Sequence, residues 1–245
     1  MNAFKIIISF FTRINVGKFD FSEDAYKQGI KWIPAIGLGI GLIQGAVYYL
    51  LRNQDFWYRG ILLTLLYLVI TGGLHFDGLS DTFDGLLSYR DKEQTLEIMK
   101  DSRIGAFGAL SLIGAFVMYV LLWGYAPLGV VVVLPCMSRC AMLFAASLSH
   151  YARPKGMGGL LINTMTPQRV RPLLIVYFTV ITGISYFLVG SRDFIFVLFG
   201  GIILLAITYY LTQRIKARLD GITGDILGFM IEMIQLIGLM MFYWL

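Results

Sequence analysis

Ile104-Gly105-Ala106-Phe107-Gly108-Ala109-Leu110-Ser111-Leu112-Ile113-Gly114-Ala115-Phe116-Val117-Met118-Tyr119-Val120-Leu121-Leu122-Trp123-Gly124 contains no charged side chain. A helix of about 20 apolar residues, rising 1.5 Å per residue, crosses the hydrocarbon core of a bilayer. This run reads as such a span, and six more read the same way: 33–51, 57–74, 127–148, 172–190, 194–211 and 226–245. None alternates with a period of two, which argues against a β-barrel. The expected fold class is an all-α polytopic membrane helix bundle, one domain over 1–245, with about seven transmembrane helices.

Composition supports this reading. Of 245 residues, 58% are hydrophobic and 14% charged, with a mean hydropathy of +0.74. Soluble domains carry about 25% charged residues and could not hide so much apolar surface at this size. The aromatic content and scarcity of charge exclude disorder. Two cysteines exclude a disulfide scaffold; Cys136 and Cys140, four apart in a span, read as buried small side chains lacking the further ligands a metal site needs.

Charge gives the orientation. With the N-terminus inside, 16 of the 20 Lys and Arg fall on the cytoplasmic side; Arg52, Arg59 and Arg192 face outward and Arg139 lies within a span. Basic loops are retained in the cytoplasm, so the expectation is N-in, C-out. The net charge of +5 then follows from topology and anionic lipid, and calls for no nucleic-acid partner. Residues 1–29 form an N-terminal arm: the apolar stretch 6–11, between Lys5 and Arg13, is too short to span and reads as an interfacial helix. In the first span Gly37, Gly41 and Gly45 recur every four residues, the pattern of close helix packing.

Twelve of the fifteen acids are cytoplasmic on this topology, seven of them in the segment 75–103. That segment begins His75-Phe76-Asp77-Gly78-Leu79-Ser80-Asp81-Thr82-Phe83-Asp84-Gly85-Leu86. On a helix of about 100° per residue, Asp77, Asp81 and Asp84 share one face. Carboxylates clustered beside a span are costly, and no Lys or Arg is near in sequence before Arg90. A divalent cation would turn the repulsion into coordination, and oxygen ligands suit Mg²⁺, which usually bridges to substrate phosphates. Asp77, Asp81 and Asp84 are therefore the candidate metal ligands. His75 reads as a base, a ligand or a hydrogen-bonded boundary histidine.

Further on, Lys100 and Arg103 lie one turn apart around Asp101. With Arg153 and Lys155, in the Gly- and Met-bearing loop 149–171, they are candidates to neutralise phosphate. Asp220 and Asp225 either complete a metal site or cap the last helix. Glu232, inside the last span, is a functional candidate by its position, with Arg139 as a partner to consider.

The stretch 75–86, followed by Ile98-Met99-Lys100-Asp101-Ser102-Arg103-Ile104-Gly105-Ala106-Phe107-Gly108, resembles the cobalamin synthase family, the adenosylcobinamide-GDP ribazoletransferases. The likeness continues in Phe11-Thr12-Arg13, Trp32-Ile33-Pro34-Ala35-Ile36-Gly37, Tyr151-Ala152-Arg153-Pro154-Lys155-Gly156 and Asp220-Gly221-Ile222-Thr223-Gly224-Asp225. It implies a multi-pass enzyme of the inner cell membrane with its site on the cytoplasmic face. Its substrates would be adenosylcobinamide-GDP and α-ribazole or its 5′-phosphate, its cofactor Mg²⁺ and its by-product GMP. It leaves room for a homo-oligomer or a complex with other corrinoid enzymes. Asp81, Asp84 and Asp101 are the catalytic candidates, and which carboxylate takes the hydroxyl proton stays open. The rival readings are a membrane prenyltransferase of the Asp-rich type, which normally needs a second equally acidic loop, and a transporter, which would show acids at mid-membrane and a repeat.

Overall fold

The computed structural model describes residues 2–188 and 194–244. The end of the fifth expected span, Arg192 and Asp193 after it, and Leu245 lie outside the described residues. No β-strand forms among those described; their extended pairing is an isolated bridge between Tyr151 and Ile222.

The arm contains α1 (Asn2–Phe11) and α2 (Glu23–Gly29), the latter started by Ser22, whose hydroxyl accepts the Ala25 amide. A 3₁₀ turn, Ile30–Trp32, leads into α3 (Ile33–Leu50). Then come α4 (Phe56–Thr71), α5 (Leu74–Leu87), α6 (Lys92–Ile98), α7 (Ala106–Tyr125), α8 (Leu128–Ser147), α9 (Met157–Thr164) and α10 (Pro167–Leu188). A π-helical turn, Phe196–Gly200, opens α11, which continues as Gly201–Leu219, and α12 covers Gly224–Trp244. The architecture is the expected all-α polytopic bundle.

Among the described residues five helices are long and apolar enough to cross a membrane: Glu23–Leu50, Ala106–Tyr125, Leu128–Ser147, Phe196–Leu219 and Gly224–Tyr243. The bent pair α4 and α5 makes a sixth if taken together. The fifth expected span is helical in α10, but its end reaches residues that are not described, so the described chain supports five or six crossings where seven were expected.

The second expected span stops short of Leu74 for a local reason. Gly72 and Gly73 take φ values of +65° and +69°, a left-handed pair that glycine enters without steric cost. The chain turns by 92°, and α5 runs across the direction of α4 instead of prolonging it. The acidic segment thus becomes a helix of its own at the end of the span.

Helix α8 is the axis of the bundle. Its residues are buried on nearly every side, as a helix apolar all round should be. The glycine face of α3 lies against it as its spacing predicts: a Cβ at Gly37 would come 2.7 Å from the Arg139 side chain, and one at Gly45 2.6 Å from Val132. The small residues let the two backbones approach, which substitutes for the missing hydrophobic drive between helices in lipid. Helix α12 packs on both α8 and α5, and α7 on α4 and α5.

Candidate active site

The site forms where α5 meets the start of α12. At Gly78 a Cβ would stand 2.5 Å from the carbonyl oxygen of Asp225, so this position keeps the two helices in backbone contact. The contact brings the α5 carboxylates beside Asp225, nearly 150 residues away in sequence. A second element joins through the lone bridge: the Ala152 amide donates to the Ile222 carbonyl (2.9 Å), and the Ile222 amide to the His150 carbonyl (3.0 Å). Arg153 is thereby delivered to Asp225, with Nη1 to Oδ2 at 2.9 Å, while Nη2 donates to the Met99 carbonyl at 3.3 Å.

Asp81 is the electrostatically stressed member. Partial burial, then the Asp77 and Asp225 charges, push its carboxyl up to about 7, with Arg153 opposing the rise. Burial and like charge both disfavour an ionised carboxylate. Among the described residues Arg153 forms an ion pair with Asp225 and none with an α5 carboxylate, so negative charge on α5 is left under-compensated.

Asp84 is held differently. Its two oxygens accept the backbone amides of Gly105 and Gly108, each at 2.8 Å, at the beginning of α7. A carboxylate there satisfies orphan amides and meets the positive end of the helix dipole. Asp101 lies outside this group. It is paired at 2.6 Å with Arg103, and those hydrogen bonds lower its carboxyl to about 2. Asp81, unlike Asp101, has an affinity suited to exchanging a proton at neutral pH.

A cavity of about 850 Å³ opens beside the cluster. Its wall includes His75, Asp77, Lys100, Arg153, Lys155 and Asp225. The volume suits a small-molecule ligand. Lys100 also borders a neighbouring, more open cavity of about 740 Å³ that contains Asp101 and Arg103. The expected phosphate binders therefore divide: Arg153 and Lys155 on the first cavity, Arg103 on the second, Lys100 on both. The buried His75 ring sits 5.6 Å from that of Phe11, and its Nε2 has no hydrogen-bond partner.

Two acids lie elsewhere. Asp220, in a left-handed conformation at the end of α11, is exposed and pairs with Lys92 (3.3 Å) and His150 (3.6 Å). Glu232 is fully buried in the bundle, accepting hydrogen bonds from the hydroxyls of Tyr67 (2.7 Å) and Tyr119. Arg139 reaches it indirectly: Nη2 donates to the Tyr67 hydroxyl at 3.4 Å, and Nη1 to Gln235 Oε1 at 3.3 Å. The two charges share a hydrogen-bonded network rather than an ion pair.

Sequence reasoning missed the aromatic wall of the first cavity, Phe10, Phe11 and Tyr26 from the arm, and Tyr151 from the loop. Phe11 and Tyr151 belong to two of the quoted blocks, but only the folding back of the arm and the Tyr151–Ile222 bridge bring them to the cavity with Phe10 and Tyr26. Glu97, one turn before Asp101, also reaches the cavity and carried a weak local signal.

Among the described residues no three His, Cys, Asp or Glu side chains converge as a complete metal cage. Mg²⁺ seldom needs one, since one or two carboxylates with substrate phosphates suffice. Asp77 and Asp81, without an ion-pair partner among the described residues and beside a cavity that also holds Lys100, Arg153 and Lys155, fit that mode of binding.

Membrane-length helices and a carboxylate cluster beside a ligand-sized cavity that also holds Lys100, Arg153 and Lys155 define a multi-pass membrane protein with a candidate small-molecule site. Within that class the chain belongs to the cobalamin-5-phosphate synthase family, whose model matches residues 3–243. The adenosylcobinamide-GDP ribazoletransferase of Alkaliphilus oremlandii is 36% identical over 99% of this chain and 97% of its own length. Those of Clostridium acetobutylicum and Fusobacterium nucleatum are 35% and 32% identical, covering 97% and 99% of this chain and 94% and 97% of their own. No solved structure matches. The resemblance drawn from the six sequence blocks is borne out.

Proposed function

We propose that this protein transfers the adenosylcobinamide-phosphate moiety of adenosylcobinamide-GDP to a ribose hydroxyl of α-ribazole or its 5′-phosphate. The hydroxyl oxygen attacks the phosphorus on the cobinamide side, the bond to the GMP oxygen breaks, and the hydroxyl proton passes to the carboxylate cluster. The observation that carries this reading is the meeting of Asp77 and Asp225 with Arg153 on one ligand-sized cavity, with Asp81 coupled to all three through charge. The names of the relatives supply the substrates.

Arg153 and Lys155 would hold the diphosphate, where charge grows on the leaving group. Asp77 and Asp81 would hold Mg²⁺, which when bound screens that charge and orients the phosphates. Asp84 keeps the start of α7 against α5. The basic-residue asymmetry supports an inner-membrane location with the site on the cytoplasmic side. The test is incubation of the purified protein with adenosylcobinamide-GDP, α-ribazole and Mg²⁺. GMP and cobalamin should appear together, and chelation should stop both. Absence of GMP release with either acceptor form would overturn the reading.

A further inference from the structure

Asp77 borders two cavities. One is the large cavity shared with Arg153, Lys155 and Asp225; the other, about 370 Å³ and open, lies against Arg13 and Ser80 and has apolar Leu74, Phe76, Ile104 and Leu112 in its wall. Arg13 is fixed beside it: its backbone amide donates to the Ile70 carbonyl at 2.7 Å, and its side chain lies over Gly72, where a Cβ would come 2.7 Å from its Cγ. Among the described residues no carboxylate pairs with the exposed Arg13. The Ser80 hydroxyl is buried and lacks a hydrogen-bond partner. A fixed, unpaired guanidinium beside an apolar pocket suits a ligand that is apolar at one end and anionic at the other.

We infer that this smaller cavity seats the acceptor nucleoside, its base against the apolar wall and its 5′-phosphate on Arg13, with Asp77 at the junction with the donor's cavity. The inference rests on the proposed function. Phosphoryl transfer places the attacking and leaving oxygens roughly in line through phosphorus, and two cavities meeting at one carboxylate provide separate approaches for donor and acceptor. The smaller volume lies within the range of small-molecule pockets and suits a single nucleoside. Arg13 then sets the preference for the phosphorylated acceptor over the free nucleoside.

The test is steady-state kinetics on the full-length enzyme in nanodiscs, with adenosylcobinamide-GDP and Mg²⁺ saturating and each acceptor varied in turn. Arg13→Gln should raise KM for α-ribazole 5′-phosphate about tenfold or more, the expected loss for a charge-assisted phosphate contact. The KM values for α-ribazole and for the donor should change little, and Arg13→Lys should recover part of the loss. Leu112→Trp, which narrows the cavity away from Arg13, should raise KM for both acceptors and spare the donor. An unchanged ratio of acceptor KM values in Arg13→Gln, or a rise confined to the donor, would overturn the assignment. If Arg13→Gln does not fold, unchanged acceptor KM in Leu112→Trp overturns it instead. A lipid headgroup in the cavity would show as an acceptor KM that follows anionic-lipid content and ignores Arg13→Gln, and that too overturns it. Wild-type protein that releases no GMP would fail the underlying reading before any variant is compared.

Discussion

Arg153 and Asp225 form a 2.9 Å ion pair that ties the segment after α8 to the first turn of α12. Arg153 is also the cation that opposes the rise in Asp81 proton affinity. One guanidinium thus fixes geometry and tunes charge at the same place.

The tuning gives a pH prediction. Asp81 is pushed up to about 7, so its ionised form grows as pH rises through 7. If the ionised carboxylate is the working form, activity should climb over that interval and the Mg²⁺ requirement should ease. Arg153→Gln removes the opposing charge, so the acid limb of the pH–rate profile should move to higher pH. An unmoved limb would detach Asp81 from the titration.

Asp81→Asn separates function from stability. Turnover should fall by orders of magnitude and lose its dependence on Mg²⁺. The sign for stability is the reverse of the usual carboxylate case. Because the folded-state affinity lies above the ordinary value, the protonated form favours folding, and that contribution is lost as pH rises through about 7. Asn imitates the protonated form, so at pH 8 the variant should unfold at the same temperature as the wild type or higher, measured by thermal melts in detergent.

Asp84→Ala should behave unlike its neighbours. It leaves two amides of α7 without their acceptor, a loss of about 0.5–2 kcal/mol for a helix cap. Asp84→Asn keeps an acceptor for one of the two amides and sets its NH2 group against the other, so it should recover only part of it. The Mg²⁺ titration of the surviving activity should keep its midpoint in Asp84→Asn, whereas Asp77→Asn should move it to higher concentration.

The buried network should be a stability element. Glu232→Leu strips acceptors from Tyr67 and Tyr119 and leaves Arg139 facing a poorer polar environment, which should cost about 3–5 kcal/mol. Glu232→Gln keeps hydrogen bonding and should cost less. Denaturant midpoints in mixed micelles would rank the two variants.

Much of the framework was legible because spans are written in local composition. The glycine face of α3 was likewise legible, since close packing leaves a four-residue signature. The one-face arrangement of Asp77, Asp81 and Asp84 was a helical-period argument, and α5 is indeed a helix. The distinct surroundings of Asp84 were not legible, because they depend on amides of Gly105 and Gly108 brought in by tertiary packing. Asp225 could be named from its motif, but its place beside α5 depends on how closely Gly78 lets two helices approach. Phe10 and Tyr26, the arm's other contributions to the aromatic wall, had no local pattern to reveal them.

The left-handed glycine pair after α4 also makes the length of that helix a matter of catalytic aim. A residue inserted into α4 would rotate everything beyond it by about 100° around the helix axis. Since α5 leaves at 92°, it would swing like a hand on a dial, sweeping its carboxylates away from Asp225 and Arg153. The segment between Phe56 and Gly72 is therefore free to change its side chains toward lipid but not its residue count. Here sequence length, usually tolerant at the end of a span, is as constrained as the identity of a catalytic residue.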